Sequence, residues 1–181
     1  MKIAIVVRSL GLGGAEYQAA LTGVELGRRG HDVQVVTFHQ ESHFADLVIN
    51  GAAQFRSLNV PTARVPTALV EALRQWRPEV VYSYLAGPNL LTLAARPFVG
   101  HPSVVWGIRS TGFRLEDETR LGSAVYRLEP RCSRTVDLVI SNSSSGRDAA
   151  VRRGFRPGRL AVVPNGIVIP DVAPAGIEDR L

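Results

Sequence analysis

Short apolar runs alternate with longer segments of helical spacing along most of the chain. A run such as Ile3–Val7 is apolar at every position, which is typical of parallel strands that are buried on both faces. The runs predict strands over Lys2–Val7, Asp32–Phe38, Thr62–Val65, Glu79–Ser83, Ser103–Ile108, Asp137–Ser141 and Leu160–Val163.

The segments between these runs predict helices. Small or apolar residues recur every three or four positions in Ala15–Arg29, and Gly30 follows as a stop signal. Thr67–Arg77 begins with a candidate cap and ends before a proline. Further helices are predicted over Asn89–Arg96, Glu118–Thr135 and Ser143–Arg153. Regular alternation of strand and helix predicts an α/β fold, a Rossmann-like, doubly wound parallel sheet of about seven strands.

Two segments depart from this alternation. Gln40–Asn59 mixes apolar and polar residues without a clean period, so we expect a broken helix there. Beyond Pro164 the chain becomes rich in proline and glycine, which is typical of a linker. We therefore expect one domain over residues 1–163 and a linker over residues 164–181.

The composition is that of a globular protein with one sizeable core, since 45% of the 181 residues are hydrophobic and 20% are charged. The apolar stretch after Lys2 is too short for a signal peptide or a membrane span. Cys132 is the single cysteine and has neither a disulfide partner nor neighbours at metal-ligand spacing. These features favour a reducing cytoplasm and predict no metal site.

Arginine carries almost all of the positive charge. The net charge is +5, the isoelectric point is about 10.1, and 11 of the 20 arginines lie between Arg109 and Arg159. Such a cluster suits nucleotide phosphates or an anionic membrane surface, although a solvated basic face is the plainer interpretation. No stripe of basic and aromatic residues indicates nucleic acid. A peripheral position on the inner face of the cytoplasmic membrane is therefore compatible with the cytoplasmic expectation.

A glycine-rich loop, Ser9–Glu16, follows the first strand and contains Gly13 and Gly14. In a βα turn, backbone N–H groups and the helix dipole converge at one point, and glycines let an anion approach it. The alternative is that any tight βα turn favours glycine. Nicotinamide or flavin binding fits poorly, because Glu16 occupies the third glycine position of the dinucleotide fingerprint and no carboxylate ends the second strand.

Polar residues also follow the fourth, fifth and sixth predicted strands. Ligands of doubly wound sheets gather beyond the carboxyl ends of the strands, so we expect Ser83, Tyr84 and Asn142 to border a site. Arg109 follows the fifth strand and stays protonated at neutral pH, so its chemistry there would be electrostatic. A surface ion pair is the alternative for Arg109, and strand-end packing is the alternative for Tyr84.

Motifs at both ends of the chain resemble those of family 4 (group 1) glycosyltransferases. The opening motif is Gly13–Glu16, followed by a helix that ends in Arg28–Val33, and the closing motif is Val162–Ile167 after Gly154 and Phe155. The resemblance covers residues 1 to about 170 and corresponds to the N-terminal, acceptor-side half of a GT-B architecture. It implies that a C-terminal donor-binding domain, with its paired-glutamate motif, is absent from this sequence.

The resemblance also implies roles for individual residues. The loop residues Gly13, Gly14, Ala15 and Glu16 would face the interdomain cleft near the donor diphosphate, whereas Ser83, Tyr84, Thr111 and Asn142 would lie on the acceptor side. Many relatives have a histidine where this chain has Arg109. This departure implies a catalytic Arg109 that acts through its charge while the leaving diphosphate helps to take the acceptor proton.

The implied reaction is transfer of a sugar, with retention, from a nucleotide-diphosphate sugar to a sugar, lipid-linked or polyol acceptor. Neither a cofactor nor a metal is expected, because the acidic run Glu116–Glu118 is better explained as a complement to a helix dipole. This domain alone is expected to be inactive. The rival is a stand-alone α/β module that binds a phosphate-bearing ligand, and coding sequence beyond Leu181 with a Glu-x7-Glu segment would favour the enzyme.

Overall fold

A computed structural model describes residues 1–40, 43–109 and 120–168, without the side chains of 120 and 121. The strands are β1 (Lys2–Val7), β2 (Asp32–Thr37), β3 (Gln54–Ser57), β4 (Val80–Tyr84), β5 (Ser103–Ile108), β6 (Leu138–Ser141) and β7 (Leu160–Val162). The helices are α1 (Gly14–Arg28), α2 (Ala45–Ile49), α3 (Val65–Trp76), α4 (Ala86–Ala95), α5 (Arg120–Cys132) and α6 (Ser144–Arg153).

The strands form one seven-stranded sheet in the order β3-β2-β1-β4-β5-β6-β7. Every neighbouring pair is parallel, and the register places Ile5 beside both Val35 of β2 and Tyr82 of β4. The order reverses between β1 and β4, so the chain winds outward in both directions from the centre. The predicted Rossmann-like, doubly wound sheet is confirmed.

Both faces of the sheet are covered, as its apolar strands require. One face packs against α1 and α2 through a cluster that includes Ile5, Val35, Tyr82 and Tyr84. The opposite face packs against α3 and α4 around Leu69, and α6 extends this layer over β5 and β6. Side chains of alternate residues in each strand therefore enter different layers of the core.

The prediction of a third strand over Thr62–Val65 is wrong. Thr62–Arg64 forms a 3₁₀ turn, and Val65 begins α3, where it shares one buried face with Leu69 and Leu73. The third strand is Gln54–Ser57, inside the segment for which a broken helix was expected. This edge strand carries one large apolar residue in four, so pairing with β2, and not its own pattern, determines its conformation.

The ends of the predicted helices are confirmed in some cases and corrected in others. Gly30 has φ of +85° just after α1, and Ser143 caps α6 by accepting a hydrogen bond from the Gly146 N–H at 3.0 Å. Thr67 is not a cap, because its hydroxyl donates to the Arg64 carbonyl within the first turn of α3. Helix α4 begins three residues earlier than expected, at Ala86.

Candidate functional site

The carboxyl ends of four adjacent strands bring the sequence-predicted residues to one edge of the sheet. In the order β1-β4-β5-β6, these strands lead into the glycine loop, Leu85, Arg109 and Asn142, respectively. Residues far apart in the sequence therefore border one region, because parallel strands end at the same edge. The predicted acceptor-side residue Thr111 lies outside the described residues.

Arg109 is held by neutral groups. Its guanidinium donates to the Tyr82 hydroxyl at 3.0 Å, the Tyr84 hydroxyl at 3.4 Å and Asn165 Oδ1 at 2.5 Å. It also lies 4.9 Å from the centre of the Tyr84 ring. Its Nε is buried and has no partner, and no described carboxylate forms an ion pair with Arg109. Its positive charge therefore remains uncompensated by the described part of the chain.

Tyr84 supports Arg109 from inside the core. The side chain is completely buried, its hydroxyl donates to Thr22 Oγ1 at 3.1 Å, and its ring lies 4.7 Å from that of Tyr82. Burial raises the pKa of Tyr84 well above its usual range, the neighbouring Tyr82 raises it further, and Arg109 only partly opposes this. Tyr84 is therefore a neutral support for the arginine and has no surface for an acceptor to touch.

Ser83 also lies behind the site. It is fully buried, its hydroxyl donates to Asn89 Oδ1 at 2.8 Å, and Thr92 Oγ1 donates to Ser83 Oγ at 3.1 Å. Asn89 Nδ2 in turn donates to Glu129 at 2.8 Å, so one chain of hydrogen bonds joins β4, α4 and α5. A direct contact of the Ser83 side chain with an acceptor is incompatible with this burial.

Glu129 ends this buried chain of hydrogen bonds. Only 2% of its side chain is exposed, and its second carboxylate oxygen accepts from Arg153 at 3.0 Å. Burial raises the pKa of Glu129, while the bonds from Asn89 and Arg153 act in the opposite direction. This pair could not be predicted from the sequence, because the two residues lie 24 positions apart on different helices.

A cavity of about 210 Å³ opens beside Arg109. It is lined by Leu85, Ala86, Ile108, Arg109, Tyr126, Glu129 and Arg153. A smaller cavity shares Ile108, Tyr126 and Arg153 with it and reaches the half-buried Asn142. The two cavities form a groove, defined by these lining residues, from the start of α4 to the start of α6. Its walls are largely apolar, and both helix N-termini favour negative charge.

In the glycine loop, the side chain of Glu16 lies where the sequence predicted a bound anion. The Glu16 carboxylate folds back onto Gly13, in the space that a Cβ at this position would need, whereas the corresponding space at Gly14 is open. Gly13 is the N-cap residue of α1, so a carboxylate there complements the helix dipole. An anion at Gly13 would have to displace Glu16, which counts against the predicted anion site at Gly13. Ala15 lies in the first turn of α1.

The chain after β7 returns across the carboxyl edge of the sheet and is fixed at three points. The Val163 N–H donates to the Ser141 carbonyl at 2.9 Å, Asn165 accepts from Arg109, and the Gln18 amide pairs with the backbone of Gly166. The Gln18 pairing consists of Nε2 to the Gly166 carbonyl at 2.7 Å and the Gly166 N–H to Oε1 at 3.0 Å. We call residues 163–166 the crossover segment.

Sequence reasoning missed Tyr82, Gln18 and Asn165 as parts of this site. The Gln18–Gly166 contact spans 148 positions, and the Arg109–Asn165 contact spans 56. A clue existed for Gln18, since it is a polar residue among the small and apolar positions of an amphipathic helix. Its partner could not be identified without the three-dimensional path of the crossover segment.

Residues 1–40, 43–109 and 120–168 contain no group of three or more His, Cys, Asp or Glu side chains that could hold a metal ion. Within the same ranges, no helix has the length and apolar character needed to cross a bilayer.

Comparison with known proteins assigns this chain to a family. The model of Glycosyltransferase Family 4 matches residues 12–169, which is most of the chain and includes Gly13–Glu16 of the glycine loop, Arg109 and the crossover segment. No curated protein sequence matches the chain.

Solved structures share the fold at low sequence identity. HepE from Anabaena, in complex with UDP-glucose, superposes with a TM-score of 0.74 at 18% identity over 92% of this chain and 44% of its own. The lipopolysaccharide outer core galactosyltransferase WaaB superposes with a TM-score of 0.66 at 18% identity over 95% and 48% of the two chains. A UDP-GlcNAc 2-epimerase from Methanocaldococcus jannaschii superposes with a TM-score of 0.61 at 12% identity over 91% and 46%.

This chain thus spans slightly less than half the length of these structures. Because a galactosyltransferase and an epimerase share the fold, the fold does not separate the two reactions. The family match does favour the transferases.

Proposed function

Because the chain belongs to glycosyltransferase family 4, we propose that it is the N-terminal, acceptor-side domain of a retaining glycosyltransferase. The whole enzyme transfers a sugar from a nucleotide-diphosphate sugar to a sugar, lipid-linked or polyol acceptor. HepE was solved with UDP-glucose, which supports a nucleotide-sugar donor. A C-terminal domain outside the described residues supplies most of the donor contacts, with the linker between the two domains beginning near Pro164.

The observation that carries the proposal is the position of Arg109 at the carboxyl end of β5, where no carboxylate of the described residues pairs with it. Its guanidinium is oriented by Tyr82, Tyr84 and Asn165, so little reorganisation is needed when a negative charge arrives. A fixed arginine beside an apolar groove suits a diphosphate, whose negative charge grows as its bond to the sugar breaks. Arg109 is the catalytic residue of this domain in that electrostatic sense.

The proposed step needs no base from this domain. The bond between the sugar C1 and the diphosphate oxygen breaks, and the acceptor hydroxyl oxygen bonds to C1 on the same face. The acceptor proton passes to a diphosphate oxygen. Arg109 acts through its positive charge alone, by which it stabilises the departing diphosphate. Neither a metal nor a cofactor takes part in this scheme.

The groove beside Arg109 is the proposed acceptor region. Arg109 and Asn142 lie towards its two ends, and Ser83 and Tyr84 act from behind it by fixing α4 and Arg109. The open side of Gly14 is the place in the glycine loop where a donor phosphate can approach without displacing Glu16.

The stereochemistry of the product tests the proposal. The intact gene product, supplied with an α-linked nucleotide sugar and candidate acceptors, should form an α-linked product, which proton NMR identifies by the coupling constant at C1. A β-linked product would overturn retention, and epimerisation of the donor without transfer would overturn the transferase assignment. Tight binding of a phosphate-bearing ligand without any transfer would favour the stand-alone module.

A further inference from the structure

A cluster of exposed arginines lies on α5 and α6, away from the proposed catalytic groove. Arg127 and Arg131 lie on α5, Arg134 lies in the 3₁₀ turn that follows it, and Arg152 and Arg156 lie at and beyond the end of α6. All five residues are exposed. We call them the basic surface.

The two helices bring these arginines together. Arg127 and Arg131 are four positions apart and so lie along one side of α5, and Arg134 follows in the 3₁₀ turn after the helix. Pro130 belongs to the same side, and a Cβ added to Gly154 would lie 3.8 Å from Pro130 Cβ. Arg153 also donates to the Tyr126 carbonyl at 2.9 Å. The end of α6 therefore lies beside the stretch of α5 from Tyr126 to Pro130, next to Arg127 and Arg131, and leaves both arginines exposed.

Among the described residues, the acids near the basic surface are paired with other arginines. Asp148 pairs with Arg147 at 2.8 Å, Asp137 pairs with Arg96 at 3.1 Å, and Glu129 is buried with Arg153. None of the five arginines forms an ion pair with a carboxylate of the described residues. A stable excess of positive charge on one surface attracts a polyanion.

The apolar residues of this surface point to a lipid partner. Leu128 is 46% exposed and Val151 is 37% exposed, so aliphatic groups accompany the arginines. The aromatic rings available for base stacking are covered, because Arg153 lies 3.4 Å from the centre of the Tyr126 ring and Phe155 is 2% exposed. Arginines with exposed aliphatic side chains suit anionic headgroups, whereas single-stranded nucleic acid binding relies on exposed aromatic rings.

We propose that the basic surface docks the protein on an anionic membrane. Docking is peripheral: the arginines contact lipid headgroups, and Leu128 and Val151 reach the boundary of the acyl chains. This inference is independent of the proposed sugar transfer, because no residue of the basic surface lines the groove. Failure of either proposal would leave the other standing.

Vesicle sedimentation of this 181-residue chain tests the docking. The chain should sediment with phosphatidylcholine vesicles that contain about one third phosphatidylglycerol, but not with pure phosphatidylcholine, and added salt should release it. The variant Arg131→Glu/Arg152→Glu changes one arginine on each helix. It should lower the partition coefficient roughly tenfold or more, because each arginine near an anionic surface contributes a factor of roughly five.

A charge-matched control separates docking from general charge. The double variant Arg29→Glu/Arg64→Glu changes two exposed arginines in the other half of the sheet by the same net charge. It should keep most of the wild-type partition, and circular dichroism should give native spectra for both variants. Equal losses in the two variants would overturn the assignment to this surface. Absence of anionic-vesicle binding, or tighter binding of a DNA oligonucleotide through the same arginines, would overturn the membrane proposal.

Discussion

At the end of β5, the guanidinium of Arg109 is held by neutral side chains. Its neighbours Tyr82, Tyr84 and Asn165 accept its hydrogen bonds without neutralising it. A carboxylate in the same place would hold the arginine as a structural ion pair. Neutral acceptors fix the direction of the guanidinium and leave its charge for a ligand.

Tyr84→Phe should destabilise the domain by about 1 kcal/mol at neutral pH, because the hydrogen bond from the buried Tyr84 hydroxyl to the partly buried Thr22 is lost. The effect of pH gives a second readout. Folding raises the pKa of the Tyr84 hydroxyl. Above about pH 10, this hydroxyl therefore loses its proton in the unfolded state but keeps it in the folded state. Wild-type stability should then fall by about 1.4 kcal/mol per pH unit from this group alone.

Urea unfolding at a series of pH values measures both effects. The Tyr84→Phe variant should have a shallower loss of stability above about pH 10, and its neutral-pH stability should be lower. Parallel pH profiles for the two proteins would mean that Tyr84 titrates normally in the folded state. The other tyrosines are the same in both proteins, so the difference between the two pH profiles of stability arises from Tyr84.

At the scale of elements, hydrogen bonds between side chains fix how the helices sit on the sheet. Ser83 on β4, Asn89 on α4 and Glu129 on α5 form one buried chain, while Gln18 on α1 holds the crossover segment. The first chain positions the walls of the groove. The second holds the chain after β7 against α1.

Asn89→Ala should destabilise the domain by about 2 to 4 kcal/mol, since it leaves both Ser83 and the Glu129 carboxyl buried with one partner fewer. Asn50→Ala is the matched control, because Asn50 is exposed at the end of α2, and its cost should stay within about 0.5 kcal/mol. Thermal unfolding compares the two variants. Equal, small losses would remove the buried chain as a stabilising feature.

Gln18→Ala should release the crossover segment without unfolding the sheet. The Gly166 amide loses its acceptor, so its hydrogen exchange should accelerate while the amides of β1 and β4 keep their protection. Gln54→Ala, which changes an exposed glutamine on β3, should leave the Gly166 amide protected. Unchanged exchange at Gly166 in Gln18→Ala would show that Gln18 does not hold the segment.

The success of the sequence predictions depended on the range of the interactions involved. Six strands have apolar runs of their own, and their pattern was sufficient to locate them. Gln54–Ser57 lacks such a run and forms a strand only because β2 is beside it. Arg109 was found because its position follows a predicted strand, whereas Gln18 and Asn165 gain their roles from contacts that only the folded path creates.

At the scale of the molecule, the chain is a complete sheet with one side of a proposed two-domain site. The core closes on both faces of the sheet, so folding should not need the other half of the enzyme. Transfer does need it, because donor and acceptor must be held within reacting distance. In the proposed enzyme, the groove supplies the acceptor region and the glycine loop one approach for a donor phosphate, and the other domain supplies the remaining donor contacts.

The isolated 181-residue chain should therefore unfold cooperatively and yet lack catalysis. Calorimetry should give one thermal transition, and titration with nucleotide sugars should give a dissociation constant no better than roughly millimolar, about 4 kcal/mol of binding free energy. Neither sugar transfer nor donor hydrolysis should be detectable by mass spectrometry. Micromolar donor binding or turnover by this chain would contradict the proposal that most donor contacts come from the C-terminal domain.

The kinetics of Arg109→Ala in the intact glycosyltransferase test the central claim most directly. With Arg64→Ala as an exposed control, release of the nucleoside diphosphate is followed at saturating acceptor. The account predicts that Arg109→Ala lowers kcat/KM by on the order of ten- to a thousandfold, mostly through kcat, and that Arg109→His does not restore it. A loss confined to KM would make Arg109 a binding group, and an unchanged kcat/KM would contradict the account.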